Sequence, residues 1–325
     1  LRTSGESSGG FSTQELEIRR AGPADLPEVM SLLGASLGWG DDERYQRLFR
    51  WKHLDNAFGR SPMWVGTIGS EIVGFRAFMR WRFQLDGGQV EAVRAVDTAT
   101  HPAHQGKGIF TKLTLQALQE LQAEGVGFVF NTPNDQSRPG YLKMGWRLIG
   151  RLPVWARPRG PGGLIRMARS RVPAERWSVP TEVGRPAGEA LADPQAVEAL
   201  VAKRPLVAAA AETTRSVDFL RWRYGMEDLH YRALGDPEGG LVFFRLRRRG
   251  AAVEAVVCDL LADRAEGRLI SRLARETAVD YVIGVGDRLS GSMRVPGGPT
   301  LTWRHLCEAE PPKEWRLAMG DIELF

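Results

Sequence analysis

Cysteine is scarce in this chain: Cys258 and Cys307 are the only two among 325 residues. A single pair cannot frame a disulfide scaffold, so a cytoplasmic setting is the expectation. Neither cysteine sits in a C-x-x-C-type ligand spacing, and no metal site is expected. Long apolar runs are missing as well, which leaves nothing of the ~20-residue length that a membrane span needs. There is no G-x-x-x-x-G-K-[ST] phosphate loop. There is also no dinucleotide fingerprint, because the third glycine and the later acid are absent. The opening "LRTSGESSGGFSTQ" has no apolar core and reads as a disordered tail over residues 1–14, not a signal peptide. Acidic residues are outnumbered, 39 against 44 basic, for a net charge of +5. The excess is scattered as single arginines and short runs such as "RLRRRG", without stacking or groove-reading motifs, so neither nucleic acid nor a membrane is expected as a partner. A polyanionic small ligand would suit this charge.

What is present reads as α/β, since short strand-like runs alternate with helical ones. "LEIRRA" alternates as a strand. "GPADLPEVMSLLGASL" places prolines near a helix start, and "DDERYQRLFRWKHL" predicts a second helix with acids in its first turn. "MWVGTI" and "EIVGFRAFMRWRF" flank Gly69-Ser70 as a hairpin. "VEAVRAVDTATHP" is a strand ended by proline, followed by a helix marked by Leu113, Leu115, Leu118 and Leu121, then the buried strand "GVGFVFN". "SRPGYLKMGW" is a short helix stopped by Gly145, and "WRLIGRLPVWARP" is a strand interrupted at Gly150 and Pro153. From 158 to 181 the composition turns to Arg, Pro and Gly, as in a linker. Beyond it, features recur in order. "LFRWK" returns as "FLRWR", "EIVGFRAFMRWRF" as "GGLVFFRLRRRG", and "VEAVRAVD" as "VEAVVCD". Three echoes in one order predict a duplicated domain. The expected division is a tail at 1–14, a first domain at 15–157, a linker at 158–181 and a second copy at 182–325.

The two copies part company after the third echo. In the first, "HPAHQGKGIF" opens a helix. Glycines there cost backbone entropy, and the return is room for an anion against the unpaired N–H groups of a helix start. Gly106 and Gly108 open that room, Gln105 adds an amide and Lys107 a charge, a set suited to a pyrophosphate. In the second copy the same place reads "DRAEGRLISRL". Asp263 and Glu266 would repel an anion, and this copy is expected to have lost the site.

A strand, His-Pro, Q-x-x-G-x-(G/A) opening a helix, a further strand and then N-x-x-(A/S)-x-x-x-Y-x-K-x-G-(F/W) together resemble the GNAT superfamily of N-acetyltransferases. The residues that carry this are Gln105, Gly108 and Phe110, then Asn134, Ser137, Tyr141, Lys143, Gly145 and Trp146. The tandem layout resembles two-copy members of that superfamily. The resemblance implies a mixed central sheet flanked by helices, duplicated with a degenerate second copy, and acetyl-CoA as cofactor. It implies that the pantetheine arm lies along Thr98, Ala99 and Thr100. It places the pyrophosphate on the amides of Gln105, Gly106, Lys107, Gly108, Ile109, Phe110 and Thr111, with Asn134 and Ser137 as helix caps that also touch the cofactor arm. Phe110 stands where a small residue is usual and is expected to turn toward the core. Tyr141 is the expected acid for the leaving thiolate, since a phenol can protonate it. Asp97 is the first choice of base, with Glu91, His101, His53, Asp55 and the Phe325 carboxylate as alternatives. The implied reaction moves an acetyl or short acyl group to a primary amine of a small molecule or peptide by direct attack in a ternary complex. The alternatives are a silent acyl-CoA-binding sensor, or an aminoacyl or thiol-conjugate transferase on the same fold. Homo-oligomerisation stays open.

Overall fold

The computed structural model describes residues 15–40, 42–204, 207, 209–262, 266–308 and 310–323. The tail expected over 1–14, Asp263 and the Phe325 carboxylate lie outside the described residues. The chain divides into two compact units, one made of residues 1–41, 62–77 and 97–117, the other of residues 42–61, 78–96 and 118–325. Among the described residues no helix is long and apolar enough to cross a membrane.

In chain order the first half forms β1 (Leu16–Arg20), α1 (Leu26–Leu37), α2 (Arg44–His53), β2 (Met63–Ile68), β3 (Glu71–Leu85), β4 (Gly88–Thr100), α3 (Ile109–Ala123), β5 (Phe128–Asn131), α4 (Arg138–Lys143), β6 (Arg147–Arg151) and β7 (Val154–Pro158). Then come α5 (Gly160–Arg169), β8 (Arg185–Pro186), α6 (Ala187–Ala190), α7 (Pro194–Ala202), β9 (Ala210–Thr213), α8 (Val217–Tyr224), β10 (Arg232–Asp236), β11 (Gly240–Arg249), β12 (Ala252–Leu261), α9 (Glu266–Glu276), β13 (Tyr281–Val285), β14 (Met293–Val295), β15 (Thr300–His305), β16 (Glu314–Arg316) and α10 (Met319–Ile322). The expected linker thus holds α5, a helix of ten residues.

In the first unit β1 pairs antiparallel with β2, and β2 with the start of β3 through the Gly69-Ser70 turn. Proline at the first turn starts α1, and left-handed Gly38, whose N–H reaches the Gly34 carbonyl, ends it. α3 lies close on this sheet because the strands beneath carry glycine. A side chain at Gly74 would sit 2.6 Å from Ile109 Cγ2 and 2.8 Å from Leu113 Cδ1. The alternation of "EIVGF" therefore carries packing information as well as strand propensity.

The second unit contains the signature of duplication. The strand order β3-β4-β5-β15-β6 is matched by β11-β12-β13-β7-β14. Each order includes one strand from the other half of the chain. β15 lies antiparallel between β5 and β6, and β7 lies antiparallel beside β13 with β14 beyond it. The "RWK" and "RWR" echoes meet face to face. Trp51 Nε1 donates to the Trp222 carbonyl at 2.6 Å, Trp222 Nε1 donates to the Trp51 carbonyl at 2.8 Å, and the rings stack at 5.2 Å. Around them Phe58, Trp81, Phe83, Phe130 and Phe219 form a buried aromatic core. The aromatic density of "FRAFMRWRF" and its neighbours serves packing.

Candidate functional site

The first unit positions the loop that sequence singles out. β4 ends in the single 3-10 turn Pro102–His104, capped by His101 Nδ1, which accepts from the Ala103 N–H at 3.3 Å. Gly106 and Gly108 both have φ of 76°, left-handed backbone that suits glycine. Nothing lies within 4 Å of where a side chain would stand on either. The first helical bond of α3 runs from the Lys112 N–H to the Gly108 carbonyl at 3.0 Å. The amides of Ile109, Phe110 and Thr111 thus stand in the first turn of α3, at the end that carries its partial positive charge. Gln105, Gly106, Lys107 and Gly108 are exposed. This cradle of open glycine backbone, a helix start and one lysine fits a diphosphate.

Ile109 is the residue of that first turn that enters the core, at 3 % exposure. Phe110, expected to turn inward, is half-buried instead, with the Arg76 guanidinium 5.6 Å from its ring. Arg76 is fully buried and also donates to Thr98 Oγ1, so it links the strand end to the helix start. Sequence reasoning did not single it out, because "FRAFMRWRF" reads only as a strand dense in aromatic and basic residues. The signal was the alternation of its arginines with buried Phe75 and Ala77. Ala99 is buried, and Thr98 and Thr100 are half-buried beside it. The Thr100 carbonyl accepts from Ser36 Oγ at 3.4 Å.

Asp97 has φ of 42° within a strand. Positive φ is uncommon outside glycine, asparagine and aspartate, and such strain collects at functional positions. The pairing of β4 with β5 is confined to Ala92–Arg94 and Phe128–Phe130, well before Asp97. The competing bases are engaged. Glu91 accepts from Arg82 Nε at 2.5 Å, Asp55 pairs with Arg50 at 3.1 Å, and fully buried His53 bonds Ser61 Oγ at 2.9 Å. His101 caps its turn. One grouping was invisible in the sequence because its members are far apart: Glu71, His101 and His104 bring ligand-type atoms within 4.8 Å of one another. His104 Nδ1 lies 3.4 Å from Lys107 Nζ.

The second unit holds the other motif. Asn134 Oδ1 accepts from the Ser137 N–H at 2.8 Å and from Ser137 Oγ at 2.9 Å, fixing the turn into α4. Tyr141 is buried at 5 % exposure, with its ring 5.0 Å from that of Trp146. Gly145 at φ 90° ends the helix under Arg304. The second copy has no counterpart to α4, since β13 is followed by the irregular stretch 286–292. Its α9 begins on Glu266, whose carboxyl is raised by burial and further by the nearby Asp287 charge.

Residues 17–149 match the family described as Acetyltransferase (GNAT) domain, and GNAT acetyltransferases use acetyl-CoA. No curated protein matches the sequence. Among solved structures the chain is similar to a conserved Enterococcus faecalis V583 protein named as a probable N-acyltransferase, with 12% identity and a TM-score of 0.64 over 90% of this chain and 72% of that one. It is also similar to a GCN5-related N-acetyltransferase from Anabaena variabilis, with 14% identity and a TM-score of 0.62 over 90% and 73%. A third is Eis1 from Mycobacterium abscessus, with 15% identity and a TM-score of 0.58 over 90% and 74%. At such identities the likeness is one of fold: mixed sheets flanked by helices, present twice.

Proposed function

We propose that this chain, whose residues 17–149 match the family described as Acetyltransferase (GNAT) domain, transfers an acetyl or short acyl group from coenzyme A to a primary amine of a small molecule or peptide. The observation that carries this is the pair of left-handed glycines, open in front, ahead of the first turn of α3. The amides from Gln105 to Thr111 and the Lys107 ammonium would hold the pyrophosphate. The strand groups of Thr98, Ala99 and Thr100 would hold the pantetheine arm as an added strand. Asn134 and Ser137 set the start of α4, so that Tyr141 is presented from a fixed turn.

The cofactor, when bound, supplies a thioester whose carbonyl carbon an amine can attack. Asp97 is the base that takes a proton from the substrate ammonium and frees the nitrogen lone pair. Tyr141 is the acid that gives its phenolic proton to sulfur as the carbon–sulfur bond breaks. Strand N–H groups near Thr98 stabilise charge on the carbonyl oxygen. Direct attack needs both substrates at once, hence a ternary complex. We read the domains as a transferase over 15–157, a connection over 158–181 and a copy over 182–325 without cofactor. The free thiols Cys258 and Cys307 suit the cytoplasm as the working compartment.

The test is calorimetry with acetyl-CoA, followed by thiol release across a panel of amines. Saturable binding and amine-dependent thiol release are expected. Absence of heat with coenzyme A overturns the reading, and binding without turnover on any amine turns it into that of an acyl-CoA sensor.

A further inference from the structure

The second sheet carries a cavity over its parallel ladder. In the first sheet the parallel ladder sets Ala92 beside Phe128 and Arg94 beside Phe130. Trp315 of β16 covers both phenylalanines, with ring centroids at 5.8 and 6.3 Å. The matching ladder in the second sheet sets Glu254 beside Tyr281 and Val256 beside Ile283. There, Tyr281 and Ile283 line a cavity of about 670 Å³, which lies in the size range of small-molecule sites, roughly 300–1,000 Å³.

Its walls are of two kinds. β7, β13 and β14 contribute Val154, Ile283, Val285 and Val295, and α5 contributes Met167. Arg249 and Arg171 stand on the polar side. The buried carboxylate Glu254 pairs with Arg247 and Arg249 and accepts from the Tyr281 hydroxyl at 2.6 Å. Glu323 is held by Arg245 and Arg247. Arg171 is left over: its Nε donates to the Ala168 carbonyl at 3.3 Å, and among the described residues it makes no ion pair. α5 also turns Leu164 and Ile165 outward at 40% and 50% exposure, between Arg159, Arg166 and Arg169. The lining itself, with Arg171, Arg247 and Arg249 beside Val154, Ile283 and Val295, is basic and apolar together.

We propose that this cavity is a second ligand site, separate from the acyl-transfer site, and that it takes an amphipathic organic monoanion of the medium-chain fatty-carboxylate class. The carboxylate pairs with Arg171, and the alkyl chain lies along Val154, Ile283, Val285 and Val295, burying apolar area that the sheet otherwise leaves to water. The cofactor loop lies outside this lining.

The test is calorimetric titration of the full chain with sodium decanoate below its micellar concentration. One saturable site is expected, with decyltrimethylammonium, which has the same tail and the opposite charge, binding at least about tenfold more weakly. Arg171→Glu should weaken decanoate about tenfold. Ala168→Trp, on the exposed face of α5 at the cavity wall, should abolish binding while leaving the thermal unfolding midpoint in place. No saturable heat with decanoate, equal binding of the cationic amphiphile, or full binding by the Ala168→Trp variant each overturns the proposal. Acetyl-CoA titrated separately tells its failure from that of the transferase reading.

Discussion

The two helices that follow the fourth strand of each copy, α3 and α9, show how a fold can outlive its site. Both pack an apolar stripe on a sheet of the same strand order. α3 is preceded by two left-handed glycines and a lysine, whereas α9 begins on Glu266, whose protonation is favoured by burial and by Asp287. The stripe is set by many residues, each replaceable by another apolar one. An anion cradle is set by a few residues at one helix end, and a single carboxylate there reverses its preference. The first copy also has α4 and Tyr141, where the second has only an irregular stretch.

The largest expected effect comes from separating the copies. Because β15 completes one sheet and β7 the other, residues 1–157 expressed alone should show no cooperative unfolding transition by circular dichroism. A well-folded fragment would show that the copies are independent.

Next is the arginine cluster of the second copy. Burial alone would raise the Glu323 carboxyl, but the Arg245 and Arg247 guanidiniums outweigh it and hold it at about 2. A depressed carboxylate contributes stability above its unfolded value of about 4.3, and that contribution is lost as pH falls through the folded value. Denaturant midpoints should therefore drop between about pH 4.3 and 2, and Glu323→Gln should flatten that drop. At pH 7 the same variant, which breaks the buried ion pairs of Glu323 with Arg245 and Arg247, should cost about 3–5 kcal/mol.

The catalytic asymmetry is tested by Tyr141→Phe. Thiol release should fall about a hundredfold in kcat with KM little changed, the size of a lost general acid. An unchanged kcat would make Tyr141 a packing residue against Trp146. The smallest effect sharpens the comparison of helix starts. Lys107→Glu should weaken acetyl-CoA about tenfold, or about 1.4 kcal/mol, while Glu266→Lys in the second copy should create no second site, because the glycine turn is missing there. A second equivalent of bound cofactor in that variant would show that charge alone separates the copies.

Much of the site could be read from sequence because its chemistry is local. Gly106, Gly108, Lys107 and the helix start lie within a few residues, and so do Asn134, Ser137 and Tyr141. Arg76 could not be read this way, since its role depends on Thr98 and Phe110 across two strands. The strain at Asp97 was equally hidden, because a strand sequence does not announce one residue of opposite hand.

Strand and helix periodicity, the glycine turn and the order of the echoes were determined by sequence alone, since each rests on neighbours along the chain. The exchange of β7 and β15, the reciprocal Trp51–Trp222 bonds and the open face over Tyr281 and Ile283 were decided only in three dimensions. These are choices among partners distant in sequence, where several apolar strands could pair equally well by pattern, and only simultaneous burial of all of them selects one arrangement.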